Sequence, residues 1–252
     1  MRSKTLSPAS RTKSRMRARF ARHAVTYERH AGLQRDIAGR LAAHLPALEQ
    51  PSVLEIGCGT GFLTRHLLEC YRRGRVLVTD IAPEMVAACR DKFDGAANAR
   101  FAVLDGETPP DDARFDLIAS SMVLQWFDDP AKGLEGLRAR LAPGGVLLYA
   151  ASGPRFLGEW IGVMRALDFA LEDPLTGALP GIVHEEHTAV DYGSASALLA
   201  ELRGTGTARP LGAGKRLTPR RLAEAMAAFD ERHRGVATWH VLYGRLDSAI
   251  QR

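Results

Sequence analysis

The sequence predicts an α/β fold, a doubly wound and mostly parallel sheet with helices on both faces. Three observations carry this. Between Val53 and Ala151, short apolar runs rich in β-branched residues alternate with segments of helical apolar spacing, the pattern of successive βα units. The run Val53-Leu54-Glu55-Ile56-Gly57-Cys58-Gly59-Thr60-Gly61 joins a strand to a helix through a glycine-rich turn. A second strand, Val76-Leu77-Val78-Thr79-Asp80, ends on a carboxylate. Right-handed crossovers bring the strand carboxyl ends to one edge, and a ligand belongs in the crevice there.

The elements follow in order. Leu33, Ile37, Leu41 and Leu45 recur every fourth residue, which predicts an amphipathic helix from Ala31 to Leu45, stopped by Pro46. After the first strand and turn, Phe62 to Leu68 reads as a helix. Pro83 suits a first helical position, and the helix continues through Met85 to Phe93. Arg100 to Leu104 is the third strand and Phe115 to Ser121 the fourth. Pro130 to Leu141 is a helix that ends before Pro143-Gly144-Gly145, and Val146 to Ala151 is the fifth strand. Beyond Ser152 the alternation weakens: Arg155 to Leu171 reads as helix, Ile182 to Tyr192 as extended, Ser194 to Arg203 and Pro219 to Arg232 as helices, and Thr238 to Leu246 as a final strand. Gly204 to Gly214 is too rich in glycine for an element interior and reads as an exposed loop. The resulting division is a basic tail and helical extension over 1–50, a nucleotide-binding core over 51–152, and a substrate-side elaboration over 153–252 whose last strands complete the same sheet.

Composition narrows the class. With 252 residues, 46% of them hydrophobic, the chain can bury one full core. Three cysteines without C-x-x-C spacing indicate neither a disulfide framework nor a zinc site, so no metal is expected and a reducing cytoplasm is the simplest home. No apolar stretch reaches membrane-spanning length, and the first residues lack the apolar core of a signal peptide. Those residues are basic instead, with Arg2, Lys4, Arg11, Lys13, Arg15, Arg17, Arg19 and Arg22 preceding any acid. They fit a solvated tail, a contact for an acidic partner, or an organelle transit peptide. The net charge of +5 suits an anionic substrate or acidic protein, whereas no aromatics interleave with the basic residues to stack nucleic-acid bases.

The glycine turn separates two kinds of adenosyl-nucleotide protein. A pyrophosphate-binding turn reads G-x-G-x-x-G, whereas this chain has Gly57-x-Gly59-x-Gly61 preceded by Glu55. That E-x-G-x-G-x-G form resembles motif I of class I S-adenosylmethionine-dependent methyltransferases, which implies a Rossmann-like seven-stranded sheet with an N-terminal helical extension and an elaboration after strand five. In that resemblance Glu55 faces the cationic methionine end, Gly57, Gly59 and Gly61 hold it through the backbone, and Asp80 accepts the ribose hydroxyls. Ile81 covers the adenine, Asp105 and Gly106 recognise its amine, and Ser121 begins the loop under the sulfonium. Asp105-Gly106 is equally a turn-forming pair in its own right.

Further stretches are more specific. Phe115-Asp116-Leu117-Ile118-Ala119-Ser120-Ser121-Met122-Val123-Leu124-Gln125-Trp126 resembles a subgroup that methylates carboxylates, comprising malonyl-acyl-carrier-protein and trans-aconitate methyltransferases. The segment from Phe20 to Arg35, together with Leu202 to Ala208, Leu217 to Leu222 and Thr238 to Gly244, is similar to the malonyl-acyl-carrier-protein O-methyltransferases of biotin synthesis. The resemblance implies methyl transfer from S-adenosylmethionine to the free malonyl carboxylate, releasing S-adenosylhomocysteine. The alternatives are a small-molecule carboxyl methyltransferase of the aconitate type and a non-catalytic assembly factor with this fold.

A carboxylate is already ionised above its reference pKa of about 4, so this transfer needs no general base. It needs capture of the acid, which an arginine fork does bidentately. Arg155, just after strand five, is the candidate, and Tyr27 is the candidate to cover the cofactor or position the acyl group. Gln125 and Trp126 are further pocket candidates. An acidic carrier protein also calls for a basic docking face, and Arg203, Arg209, Lys215, Arg216, Arg220 and Arg221 occur between Leu202 and Ala223 without an acid.

Overall fold

A computed structural model describes residues 31–169, 178–205 and 218–248. Its elements are α1 (Gly32–Ala42), β1 (Ser52–Ile56), α2 (Phe62–Cys70), β2 (Arg75–Asp80), α3 (Pro83–Lys92), β3 (Ala99–Val103), β4 (Phe115–Ser121), a 3-10 turn (Leu124–Trp126), α4 (Pro130–Arg138), β5 (Leu141–Ser152), α5 (Gly158–Ala166), β6 (Ile182–Asp191), α6 (Ala195–Gly204), α7 (Pro219–His233) and β7 (Val236–Asp247). The seven strands form one sheet in the order β3-β2-β1-β4-β5-β7-β6. The five strands through β5 pair in parallel, and β7 runs antiparallel to both β5 and β6. The order reverses at β1, which pairs with β2 on one side and β4 on the other, so the crevice lies above the β1 and β4 carboxyl ends.

Two apolar layers flank the sheet. One packs α1, α2, α5, α6 and α7 through Ile37, Leu41, Leu63, Leu67, Val163, Leu198 and Phe229. The other packs α4 and the 3-10 turn through Leu134, Leu137 and Leu124 against Leu54, Ile56, Ile118 and Leu147. Alternate residues of the buried strands feed the two layers, which is why the central strands read as continuous apolar runs. Among the described residues, side chains fix three helix starts: Asp129, Ser194 and Thr218 accept the backbone N–H of Lys132, Ala197 and Arg221. Edge strand β6 is different, since His184, Glu185, Glu186 and His187 give it a largely polar, accessible stretch.

Several bounds differ from those read in the sequence. The first helix stops at Ala42, one turn before Pro46. Pro143-Gly144-Gly145 does not separate helix from strand. The helix ends at Arg138, and β5 already begins at Leu141, with an irregular register opposite Phe115 and Leu117. Gly145 allows this because a Cβ there would stand 2.8 Å from the Phe115 carbonyl oxygen. The helix expected from Arg155 begins only at Gly158, after Leu157 takes a left-handed φ of 52°, and ends at Ala166. Arg155 therefore sits in the turn that leaves β5.

Candidate active site

The glycine turn is built from both sides. The Cys58 N–H donates to the Thr79 carbonyl at 2.8 Å, tying the turn to β2, and Gly61 caps α2 with φ 94°. The three glycines have different tasks. A Cβ on Gly57 would meet Val123 Cγ2 at 2.2 Å, and one on Gly61 would meet Phe93 Cε2 at 2.4 Å, so these two permit close packing. A Cβ on Gly59 would meet nothing within 4 Å, so Gly59 borders open space. It is the position where backbone and ligand can approach one another.

Two carboxylates flank this turn. Asp80 accepts the Gly59 N–H through Oδ2 at 3.0 Å and the Ala82 N–H through Oδ1 at 2.8 Å, so it braces the turn and the start of α3 together. Each oxygen keeps lone-pair capacity for a hydroxyl donor. Burial raises its pKa, against the backbone bonds that lower it. Glu55 is 1% exposed and accepts the Thr64 hydroxyl through Oε2 at 2.7 Å. Burial pushes its pKa well above the usual carboxylate range, with the Cys89 thiol adding to the effect.

Among the described residues, buried polar atoms lacking a hydrogen-bond partner include Glu55 Oε1, Thr60 Oγ1 and Ser152 Oγ, all at the carboxyl edge. Unmet buried acceptors and hydroxyls are costly. Of the three, Glu55 Oε1 at the end of β1 and Thr60 Oγ1 within the turn adjoin the open Gly59 in sequence, whereas Ser152 ends β5, two strands away, and Gln34 and Arg140 also carry such atoms.

The other sequence candidates divide. Ile81 follows Asp80 and is half-buried. Asp105 Oδ1 accepts the Glu107 N–H at 3.1 Å, forming the local turn that its pairing with glycine suggests. Gly106 is a packing glycine, since a Cβ there would stand 2.5 Å from Ile56 Cγ2 and 3.0 Å from Phe127. Ser121 ends β4 opposite Ala150 and precedes Met122, whose φ is 58°. Gln125 is buried in the 3-10 turn, where its Nε2 donates to the Met122 carbonyl at 2.8 Å.

Arg155 is exposed beyond the β5 carboxyl end, two strands from β1. Tyr27, Arg209, Lys215 and Arg216 lie outside the described residues. Arg203 and Arg220 are exposed, Arg220 pairing with Glu224 at 3.1 Å. Arg221, expected on the docking face, is committed to the fold instead. Its guanidinium donates to the Leu167 carbonyl at 2.7 Å and lies 4.5 Å over the Phe169 ring.

The sequence reading missed one constellation. Glu185 and His187 on β6 meet His240 on β7, and one ligand atom from each lies within 4.8 Å of the others. The His187 and His240 rings are stacked 4.1 Å apart at 15°, so one ion cannot lie in both ring planes, and His240 Nδ1 is already occupied by the Arg155 N–H. That geometry is not one of metal coordination. No linear spacing announces it, because the antiparallel pairing of β6 and β7 joins residues 53 positions apart.

The switch-point crevice, the open glycine and the acid that braces it suit an adenosyl nucleotide, and together with the chain's relatives they place it among the class I methyltransferases, whose methyl donor is S-adenosylmethionine. Residues 54–147 match the family described as "Methyltransferase domain". A solved Bacillus halodurans protein superimposes with TM-score 0.56 at 12% identity, covering 84% of this chain and 98% of that one. The malonyl-[acyl-carrier protein] O-methyltransferase of Magnetococcus marinus is 36% identical over 239 residues, 88% of each chain. The biotin biosynthesis bifunctional protein of Bordetella avium is 35% identical over 90% of this chain and 51% of its own length. The chain belongs to the malonyl-acyl-carrier-protein O-methyltransferase family.

Proposed function

We propose that this enzyme methylates the free carboxylate of malonyl-acyl-carrier protein, giving the malonyl methyl ester that enters biotin synthesis. The observation that carries the reading is the extent of the likeness, 88% of both chains, which takes in the strands and helices after β5 as well as the cofactor core. When bound, S-adenosylmethionine supplies an electrophilic methyl on a sulfonium, and transfer to one carboxylate oxygen leaves the neutral thioether with no proton to move.

The chain's own residues bind and orient. Glu55 offers its unmet Oε1 beneath the turn to the methionine ammonium, Gly59 lets the backbone approach, and Asp80 accepts ribose hydroxyls. Ile81, Asp105, Gly106 and Ser121 complete our proposed cofactor set along the same edge. Arg155 holds the malonate carboxylate from the turn after β5, leaving one oxygen to align with the methyl group, and Tyr27 covers the bound pair. Alignment and exclusion of water from the carboxylate supply the rate, as expected of a nucleophile that is already ionised. The acidic carrier docks on Arg203, Lys215, Arg216 and Arg220, with Arg221 serving the fold beside them. We place the enzyme in the cytoplasm, where the free thiols Cys58, Cys70 and Cys89 stay reduced. Among the described residues, no helix is long and apolar enough to cross a membrane.

The test is incubation with methyl-labelled S-adenosylmethionine and a panel of malonyl-carrier protein, malonyl-coenzyme A and trans-aconitate. Label on the carrier-bound malonate, removable by mild alkali as methanol, is expected. Label on aconitate alone would overturn the assignment.

A further inference from the structure

The turn that carries Arg155 is fastened to the neighbouring strand. The Gly153 N–H donates to the His240 carbonyl at 2.7 Å, and the Leu157 N–H donates to the Thr238 carbonyl at 2.8 Å. Between these main-chain bonds, the Arg155 N–H donates to the imidazole Nδ1 of His240 at 3.1 Å. Gly153 makes room for the ring, since a Cβ there would lie 2.4 Å from Nδ1. With Nδ1 accepting, the ring proton resides on Nε2, which faces Glu185 Oε2 at 3.3 Å. The imidazole is 3% exposed and stacks on His187.

We infer that His240 is a positioning residue for carboxylate methylation: its unprotonated Nδ1 fixes the Arg155 main chain, and with it the guanidinium, at the substrate edge. The inference rests on the reading of Arg155 as the carboxylate holder. It gives the enzyme an acid limit with a structural origin. A proton on Nδ1 would turn the acceptor into a donor facing another N–H, and the Arg155 turn would lose its side-chain anchor. Among the described residues, the titratable and charged groups facing the ring are Glu185 and His187 on β6 and Arg155 on the turn. Burial, then His187 and Arg155, hold the His240 pKa below its ordinary 6.5, with Glu185 opposing them. The anchor is therefore intact at neutral pH and fails only on the acid side of that value.

The experiment compares Arg155→Ala, His240→Asn, His240→Gln and the double variant Arg155→Ala/His240→Gln in the full-length enzyme with malonyl-carrier protein, recording kcat/KM from pH 5 to 8. Asparagine places its amide oxygen where Nδ1 stands, whereas glutamine reaches towards Nε2. We expect His240→Asn to keep kcat/KM close to wild type at neutral pH and to lose the acid limb. His240→Gln should lose at least about tenfold, since small misplacements of an orienting group are costly. The double variant should be no worse than Arg155→Ala alone. Unchanged binding of S-adenosylhomocysteine by calorimetry shows in each case that the cofactor core is folded. Equal behaviour of the Asn and Gln variants, or additive losses in the double variant, would overturn the positioning role while leaving Arg155 in place. A wild-type kcat/KM for Arg155→Ala would instead overturn the carboxylate-holding reading itself.

Discussion

At the scale of single residues, burial raises the pKa of both carboxylates of the glycine turn, but backbone N–H bonds offset part of this at Asp80, whereas at Glu55 the offset comes from Thr64. Asp80 braces the fold, since it accepts two backbone N–H groups. Replacing it with alanine should weaken S-adenosylhomocysteine binding by about 1.5–3 kcal/mol, the range for bonds to a charged group. Calorimetry on the folded variant measures this, and the melting temperature should fall as well. Glu55 is instead a burden to the empty protein. Its pKa in the fold stands above the unfolded value, so stability is complete below the unfolded value and declines as pH rises towards the folded one. Glu55→Gln keeps an acceptor for Thr64 and cannot ionise, so it should melt higher than wild type at neutral pH without ligand. The same substitution should bind S-adenosylhomocysteine more weakly, and it should lack the gain in affinity expected of wild type as pH rises through the Glu55 pKa.

At the scale of elements, α7 presents neighbouring arginines with different work. Arg221 staples α7 to the end of α5 through the Leu167 carbonyl and the Phe169 ring. Arg221→Ala should cost about 1–3 kcal/mol of stability in denaturant titration, because a charged hydrogen bond and a cation–π contact are both lost. Reversing the exposed Arg203 and Arg220 to Glu should leave the melt nearly unchanged. It should raise KM for malonyl-carrier protein far more than KM for malonyl-coenzyme A, an effect that added salt reproduces in wild type as the Debye length falls below about 10 Å. Equal KM changes for the two substrates would remove these arginines from the docking face. Elements were legible in the sequence wherever local pattern decides them, as in the strands around Gly57 and the helix begun by Pro83. They were misread where tertiary contact decides. Pro143-Gly144-Gly145 looks like a helix stop, yet Leu141 before it pairs with Phe115 and Val146 after it pairs with Leu117 and Asp247, so it lies within β5 as a register irregularity. The site divides along the same line: Glu55, Gly59 and Asp80 lie on consecutive βα units and can be read in order, whereas His240 meets Arg155 only because β7 inserts beside β5.

At the scale of the whole molecule, a ligand seated between β1, β2 and the glycine turn ties together elements from distinct parts of the chain. S-adenosylhomocysteine at a hundred times its dissociation constant should therefore add about 2.7 kcal/mol, roughly 5–10 °C in melting temperature for a chain of this size, and NADH should add nothing. A shift with NADH alone would return the glycine turn to a dinucleotide. Among the described residues the sheet ends at β3 and β6, and the margin at β6 is armed. A second chain adding a strand there would bring its backbone alongside His184, Glu185 and His187 and would have to desolvate these exposed ionisable groups. The strand that orients His240 thus also discourages the molecule from growing edge to edge into aggregates.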